Sequence, residues 1–290
     1  AELIGFDFNK DDIKESEHPF TLNFNNKDVR ITTHYYEKNI LSSIFSTIHE
    51  GGHAIYEQQI DDIVSETVLG EGTSMGIHES QSRIFENMFG RNINFLKNIF
   101  NKFDELFDVR SKGIEVEDFY KIVNTVSKSL IRIEADELTY PIHIMIRYEL
   151  EKEIFSNLEE IESSEYIDYL ANKWADMYEE FLGVRPTTNS EGILQDVHWS
   201  SGLFGYFPSY ALGSAYAAQI YNSMNKEFSI EENLSNGNFD NINSFLKDKI
   251  HKFGKSKTPN ELLILATGEA FNPDYYINYL KEKYRKIYGI

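Results

Sequence analysis

The sequence HEGGH, at residues 49–53, is the feature that most limits what this chain can fold into. It lies in a segment whose apolar residues recur at helical spacing, at Ile40, Leu41, Ile44, Phe45, Ile48, Ile55 and Tyr56. Two adjacent glycines in a helix interior cost about 1 kcal/mol each relative to alanine. The two residues least favourable to a helix thus lie beside two histidines and a glutamate. This indicates that something other than helix stability constrains the sequence of this turn.

The spacing of the two histidines is suited to holding a metal ion. His49 and His53 are four residues apart, so on a helix they lie about 40° apart around the axis and about one turn apart along it. Glu50 projects about 100° from His49, which makes it a poor third ligand but lets it reach a water molecule beside the metal. The arrangement is typical of zinc peptidases, although so short a pattern also occurs by chance in unrelated chains.

A catalytic zinc site needs a third protein ligand and an open position. The downstream segment GIHESQSRIFEN offers three candidates, His78, Glu79 and Glu86. The two glutamates are seven residues apart and share one helix face. A helical glutamate is usually a solvated surface group, but the position of this segment one loop after the histidines favours one of the two as the third ligand.

Composition excludes several classes of partner. The chain has 290 residues, a formal net charge of -19 and no cysteine. This charge argues against nucleic acid and anionic membranes, because binding phosphates requires a basic face. Any metal must be held by His, Asp, Glu or water. No apolar run is long enough to cross a bilayer and no signal peptide is evident, so we expect a cytoplasmic protein, although a cysteine-free chain suits either redox setting.

The pattern along the chain predicts a mostly helical protein with at most a small hairpin or sheet near the N-terminus. The segments LNF and VRITT could pair around Asn25 and Asn26. No domain boundary is evident, so we expect one catalytic domain over residues 1–290. The predicted helices are 37–60, 74–107 with a break near Gly90, 116–156 with a kink or an interruption at Pro141, 164–182, one from about 210, 239–253 and 259–287.

Six motifs in order resemble one family. They are HPF (18–20), DVRITT (28–33), HEGGHAIYEQ (49–58), HESQSRIFEN (78–87), IRIEAD (131–136) and GILQDVHWSSGLFGYFPSY (192–210). On these motifs the chain resembles the carboxypeptidase Taq family of zinc metallocarboxypeptidases. The resemblance covers most of the chain.

The resemblance implies a multi-helix, zincin-like homodimer with a deep substrate groove. Members remove single residues from peptides with a free C-terminus, and they use zinc, some working with cobalt. Carried over to this sequence, His49, His53 and Glu79 resemble the zinc ligands, which decides against Glu86. Glu50 resembles the general acid/base.

The chain departs from the family in length. Members are considerably longer and carry a helical part before HPF, which begins here at His18. The chain is therefore expected to be either a fragment or a natural form without that part. Two alternative functions follow: an inactive metal- or peptide-binding fragment, and a zinc endopeptidase.

Other polar residues are candidates for binding the substrate. Arg132, in IRIEAD, could grip the terminal carboxylate through paired hydrogen bonds, or could form an ion pair with Glu134 or Asp136. Arg30 is expected to hold Asp28. In the loop before the last helices, His198 and Tyr206 are candidates for stabilising an oxyanion.

Four further residues have open roles. Tyr210 could bind substrate or belong to the core, and His18 could line the groove or cap a turn. Gln195 and Asp196 are candidates for orienting a zinc histidine.

Finally, Gly51 and Gly52 predict that another part of the chain packs closely against this helix. Residues without Cβ atoms allow another backbone to approach, so Gly51 or Gly52 is expected to give room to the helix of Glu79 or to another helix.

Overall fold

The computed structural model describes residues 1–10 and 12–290. The chain divides into two compact units, one formed by Ala1–Val123 with Leu212–Ile290 and the other by Asn124–Ala211. Both are built mainly of helices, and a three-stranded sheet lies near the N-terminus. The predicted fold class is confirmed.

The bounds of the helices follow in chain order. The α-helices are α1 (Ile40–Gln58), α2 (Asp62–Ser65), α3 (Met75–Arg83), α4 (Ile93–Phe107), α5 (Val116–Val123), α6 (Tyr140–Ser156), α7 (Ser164–Leu182), α8 (Pro208–Glu227), α9 (Ile230–Ser235), α10 (Asp240–Lys249), α11 (Pro259–Thr267) and α12 (Asp274–Tyr288). Short 3-10 turns cover Glu2–Ile4, Phe8–Lys10, Arg110–Lys112, Arg132–Glu134, Leu158–Glu160, Trp199–Ser201 and His251–Ser256. Among the residues described, no helix is both long and apolar enough to cross a membrane.

The sheet contains the predicted hairpin. Strands β2 (Thr21–Asn25) and β3 (Asp28–Thr33) pair antiparallel, and β1 (Ile13–Glu15), which was not predicted, pairs parallel with β3. Arg30 Nε donates to Asp28 at 2.7 Å, as expected. Side chains of β2 contact α1, since Thr21 Oγ1 donates to the Glu50 carboxylate at 2.7 Å.

Helices α1 and α3 come unusually close at Gly52. A Cβ placed on Gly52 would lie 2.7 Å from the carbonyl oxygen of Gln81 and 2.8 Å from Cα of Ser82. On Gly51 it would instead meet the tip of the Ile4 side chain, at 2.8 Å. Gly52 is therefore the glycine that gives room to the helix of Glu79, and a side chain there would collide with backbone.

A second close approach involves a glycine that the sequence did not single out. A Cβ on Gly213, in α8, would lie 2.7 Å from Cβ and 2.6 Å from Cγ of Glu79. Helix α3 is thus held between α1 and α8, and in both contacts a glycine occupies the crossing point. This packing fixes the position of Glu79.

The break predicted near Gly90 is a π-helical turn. Helix α3 passes directly into a π-helix over Ile84–Gly90, and α4 begins after it. π-Helical turns leave backbone groups without their usual partners and are frequent at functional sites. Here Tyr279 Oη and Lys283 Nζ, both in α12, donate to the Asn87 carbonyl at 3.3 Å and 3.2 Å.

The prediction of a helical segment over 116–156, kinked or interrupted at Pro141, is wrong in its middle part. Residues 124–139 are not α-helical, and α6 begins at Tyr140 with Pro141 in its first turn. Proline is favoured there because the first-turn N–H groups lack helical partners. The Asp136 carboxylate accepts from the N–H groups of Leu138 and Thr139, both at 3.0 Å, which turns the chain into the helix.

The last two predicted helices are each divided. Residues 239–253 form α10 followed by a 3-10 turn, and residues 259–287 form α11 and α12. Helix α11 ends at Gly268, whose φ of 82° is left-handed. Thr258 and Glu261 form a capping box at its start, which pairs donors that the helix itself leaves free.

Candidate metal centre

Three side chains in the first unit bring their ligand atoms together. The Nε2 atoms of His49 and His53 lie 3.9 Å and 3.6 Å from Oε2 of Glu79. One ligand atom from each residue lies within 4.8 Å of the other two. We call these three residues the metal cluster.

The geometry of this cluster fits a zinc ion. A tetrahedral site with bonds of about 2.1 Å separates its ligand atoms by about 3.4 Å. The separations of 3.6 Å and 3.9 Å are slightly wider, so small side-chain movements would close the site. Two imidazoles and one carboxylate also form a known ligand set of catalytic zinc.

Glu86 orients the first histidine. Its Oε2 lies 2.9 Å from Nδ1 of His49. A carboxylate only accepts hydrogen bonds, so the Nδ1 of His49 carries the proton and the Nε2 lone pair points to the cluster. Burial opposes a charge on His49, but Glu79 and Glu86 together raise its pKa above the ordinary value.

The second histidine is oriented by another histidine. Nδ1 of His53 lies 2.7 Å from Nδ1 of His78, and Nε2 of His78 lies 2.7 Å from Oε1 of Glu57. Burial lowers the pKa of His53, and the neighbouring His78 lowers it further, against the opposing effect of Glu79. The two other candidates for third ligand, His78 and Glu86, thus each lie behind one of the histidines.

Arg83 also contacts the cluster, and the sequence analysis did not single it out. Its Nε donates to Glu79 at 2.6 Å and its Nη1 to Glu86 at 3.3 Å. Burial would raise the pKa of both carboxyl groups, but Arg83 and the histidines hold both well below the usual range. The signal was present in the sequence, because an arginine four residues after one glutamate and three before another can bridge them on a helix.

Glu50 lies on α1 beside the cluster and is largely buried. Thr21 Oγ1 donates to its Oε2 at 2.7 Å and also lies 3.1 Å from its backbone carbonyl. The edge strand β2 therefore fixes the orientation of this carboxylate. The chain position of Thr21, 29 residues before Glu50, gave no hint of this contact.

The second unit contains a buried cluster of opposite character. Nε and Nη2 of Arg132 donate to Oδ1 of Asp196 at 3.0 Å and 2.8 Å, and Arg147 Nε donates to Oδ2 at 2.7 Å. We call these three residues the arginine cluster. Burial alone would lower the pKa of Arg132, but Tyr140 and Asp196 raise it above its ordinary value.

Two expectations are corrected by this cluster. The partner of Arg132 is Asp196, and neither Glu134 nor Asp136 takes that place, because this segment contains only a short 3-10 turn, Arg132–Glu134, instead of a longer helix. Asp196 does not orient a zinc histidine, since both of its oxygens bind arginine. Oε1 of Gln195 likewise accepts a hydrogen bond from the backbone N–H of Arg132, at 2.9 Å.

The remaining candidates are placed as follows. His198 Nε2 lies 3.0 Å from Tyr210 Oη, and its Nδ1 is buried without a partner among the residues described. Burial and then Arg132 lower the pKa of His198. Tyr206 and Tyr210 are half-buried, and Tyr210 packs against the Tyr140 core. The His18 side chain is exposed, and its carbonyl accepts from Ser16 Oγ at 2.6 Å.

Comparison with known proteins gives one consistent result. The model of the family described as carboxypeptidase Taq (M32) metallopeptidase matches residues 1–284. Carboxypeptidase 1 of Bacillus subtilis is 48% identical over 286 residues, which cover 98% of this chain and 56% of that protein. Thermostable carboxypeptidase 1 of Thermus thermophilus is 40% identical over 287 residues, 98% of this chain and 55% of that protein.

A solved structure agrees with these relatives. The crystal structure of the M32 carboxypeptidase from Deinococcus radiodurans superimposes with a TM-score of 0.93 at 37% identity, over 100% of this chain and 57% of that one. The chain therefore spans a little over half the length of the relatives that it matches.

Proposed function

Because the chain belongs to the carboxypeptidase Taq (M32) metallopeptidase family, we propose that it acts as a zinc-dependent carboxypeptidase that removes single residues from peptide C-termini. The observation that carries the proposal is the metal cluster, in which one ligand atom each of His49, His53 and Glu79 lies within 4.8 Å of the other two. Glu50 lies on the same helix turn. The prediction of one catalytic domain over residues 1–290 is part of this proposal.

The residues of the first unit suit hydrolysis of an amide. His49, His53 and Glu79 would hold the zinc ion, which would supply polarisation of the scissile carbonyl and a lowered pKa, about 7, for a bound water. Glu50 accepts a proton from the attacking water and passes it to the leaving amine nitrogen. Thr21 holds the Glu50 carboxylate in one orientation for both transfers.

A carboxypeptidase must also bind a free carboxylate, and the arginine cluster offers the charge for it. Two guanidinium groups share one carboxylate there. Among the residues described, hydrogen bonds account for three of the five N–H donors of Arg132. We assign the substrate carboxylate to Arg132, with His18 and Tyr210 as further contacts to the peptide.

His198 and Tyr206 are assigned to the oxyanion. Burial and the neighbouring arginines lower the pKa of His198, so at neutral pH it is an uncharged hydrogen-bond donor. A preorganised neutral donor costs little to bury and gains strength as charge develops on the substrate. Tyr206 contacts the His198 ring, with centroids 5.3 Å apart.

The decisive experiment measures zinc content and hydrolysis of an N-blocked dipeptide on the same preparation. We expect about one zinc per chain and release of the C-terminal residue. Glu50→Gln should retain zinc and lose at least about 100-fold in kcat, the lower range for general-base catalysis. Full activity of Glu50→Gln would contradict the proposed mechanism.

Two matched substrates separate the alternatives. Amidation of the C-terminus should abolish cleavage, because it removes the carboxylate that Arg132 binds. Cleavage of the amidated peptide would indicate a zinc endopeptidase. Zinc binding without turnover of either peptide would indicate a metal-binding fragment, an outcome that the length of the relatives makes worth testing.

A further inference from the structure

Beyond the three ligands, a chain of buried polar groups runs away from His53. It passes from His53 to His78 and ends at Glu57, with both contacts at 2.7 Å. Glu57 lies on α1, four residues after His53, so both belong to the same side of that helix. We call the three residues the histidine relay.

The hydrogen-bond partners of Glu57 decide which atom donates and which accepts in each hydrogen bond of the relay. Glu57 Oε1 accepts from the Gly72 N–H at 2.9 Å, and Oε2 accepts from Asn23 Nδ2 at 3.1 Å. Donors on both oxygens identify Glu57 as a carboxylate, so Nε2 of His78 carries a proton and donates to it. Nδ1 of a neutral His78 is then an acceptor.

The acceptor on His78 determines the tautomer of His53. Nδ1 of His53 must donate to it, which leaves the Nε2 lone pair of His53 directed at Glu79 and the cluster. In the other tautomer a proton would occupy the position meant for the metal. The identity of the ring nitrogen that binds metal is therefore decided by a residue that does not touch it.

The relay is closed off by the loop before α3. A Cβ on Gly72 would lie 2.7 Å from Cδ2 of His78 and 2.8 Å from the Tyr56 ring. The Thr73 N–H donates to Tyr56 Oη at 3.1 Å, which fixes this loop over the rings. Glu57 is almost completely buried, so water does not compete for its hydrogen bonds.

From this geometry we propose that His78 and Glu57 are positioning residues that select the metal-binding tautomer of His53 and thereby set metal affinity. The proposal rests on the metal-binding half of the proposed function. Groups that orient a metal-binding histidine typically contribute about 10- to 100-fold to metal affinity. The relay should act as a unit, because the proton on His53 depends on both members.

The test measures the zinc dissociation constant by chelator competition, with folding monitored by circular dichroism. His78→Leu should weaken zinc binding by about 10- to 100-fold. His78→Gln should restore most of the affinity, because an amide can accept from His53 and donate to Glu57. Glu57→Leu should resemble His78→Leu, and the double variant should be no weaker than either single variant.

A control and a spectroscopic measurement distinguish positioning from general packing. His34→Leu removes a histidine of the same unit that binds the Ser16 carbonyl, and it should leave zinc affinity unchanged. The visible spectrum of the cobalt(II) form should change in His78→Leu and recover in His78→Gln. Additive losses in the double variant, or equal losses for leucine and glutamine, would overturn the proposal.

If His78→Leu does not fold, His78→Gln and Glu57→Gln test the proposal in its place. His78→Gln should stay near the wild-type affinity, and Glu57→Gln should lose about 10-fold, because a neutral acceptor binds the His78 N–H more weakly. Unchanged affinity in Glu57→Gln overturns the relay but leaves the proposed function intact. A wild-type chain that binds zinc without hydrolysing peptides contradicts the proposed function and leaves the relay testable.

Discussion

The metal cluster and the arginine cluster are both largely buried and charged, but they suit ligands of opposite charge. In the first unit, His49, His53 and Glu79 bring one ligand atom each to within 4.8 Å of the other two. In the second unit, Arg132 and Arg147 share the single carboxylate of Asp196. Because buried charge is costly unless paired, the proposed function assigns a cation to the first arrangement and a substrate carboxylate to the second.

The largest expected effect is the loss of metal binding when a ligand is removed. His53→Ala should raise the zinc dissociation constant about 100- to 1000-fold, since each ligand of a zinc site contributes roughly 3 to 4 kcal/mol. Arg132→Ala should leave zinc affinity unchanged and instead raise KM for peptides. Chelator competition and steady-state kinetics measure the two effects. Weaker zinc binding in Arg132→Ala would contradict the assignment of metal binding to one cluster and substrate binding to the other.

The next effect concerns the carboxylate that holds the arginine cluster together. Asp196→Asn should lower the free energy of unfolding by about 3 kcal/mol, because it leaves two buried guanidinium groups without a charged partner.

Asp176 provides the matched control. It pairs with Arg185 at the surface of the same unit, so Asp176→Asn should change stability by less than about 1 kcal/mol. Urea unfolding measures both variants, and equal changes would show that burial does not decide the contribution of the cluster.

A smaller effect tests whether the metal cluster depends on close helix packing. Gly52→Ala should destabilise the chain by about 2 kcal/mol and weaken zinc binding, because the new Cβ meets the α3 backbone. In Gly51→Ala the new Cβ meets only the tip of Ile4, which can move, so the change should stay below about 1 kcal/mol. Equal zinc affinity in the two variants would show that the contact at Gly52 does not position Glu79.

The smallest effect, counted per pH unit, compares the units through one buried histidine in each. Burial lowers the pKa of His251 to about 3, and burial together with Arg147 lowers the pKa of His143 to about 3. The unfolded chain binds a proton at each position below its ordinary pKa of about 6.5, and the folded chain does not until about 3. Stability should therefore fall as the pH drops from about 6.5 towards 3.

Each histidine should contribute at most about 1.4 kcal/mol per pH unit to this slope. His251→Gln and His143→Gln should each reduce it when urea unfolding is measured at several pH values. An unchanged slope in one variant would show that the corresponding histidine is already protonated in the folded state.

The secondary structure could be predicted where local spacing decides it. The hairpin around Asn25, the helix of His49 and His53, and the break near Gly90 were all predicted from local pattern. The predicted helix through residues 124–139 failed, because the Asp136 side chain bonds the N–H groups ahead of α6 and Pro141 then starts that helix. Apolar spacing alone does not reveal such a competing side-chain contact.

The sequence by itself determined that two imidazoles and Glu50 share one helical turn, since a separation of four residues places side chains on the same side of any α-helix. Spacing left the third ligand open among His78, Glu79 and Glu86, and only the family resemblance favoured Glu79. Neither showed how these side chains lie relative to the two histidines, or connected His78 or Glu57 to His53. The tertiary structure decided these points, because Gly52 and Gly213 let α3 lie close to α1 and α8. That close approach directs Glu79 to both histidines and leaves Glu86 and His78 behind them.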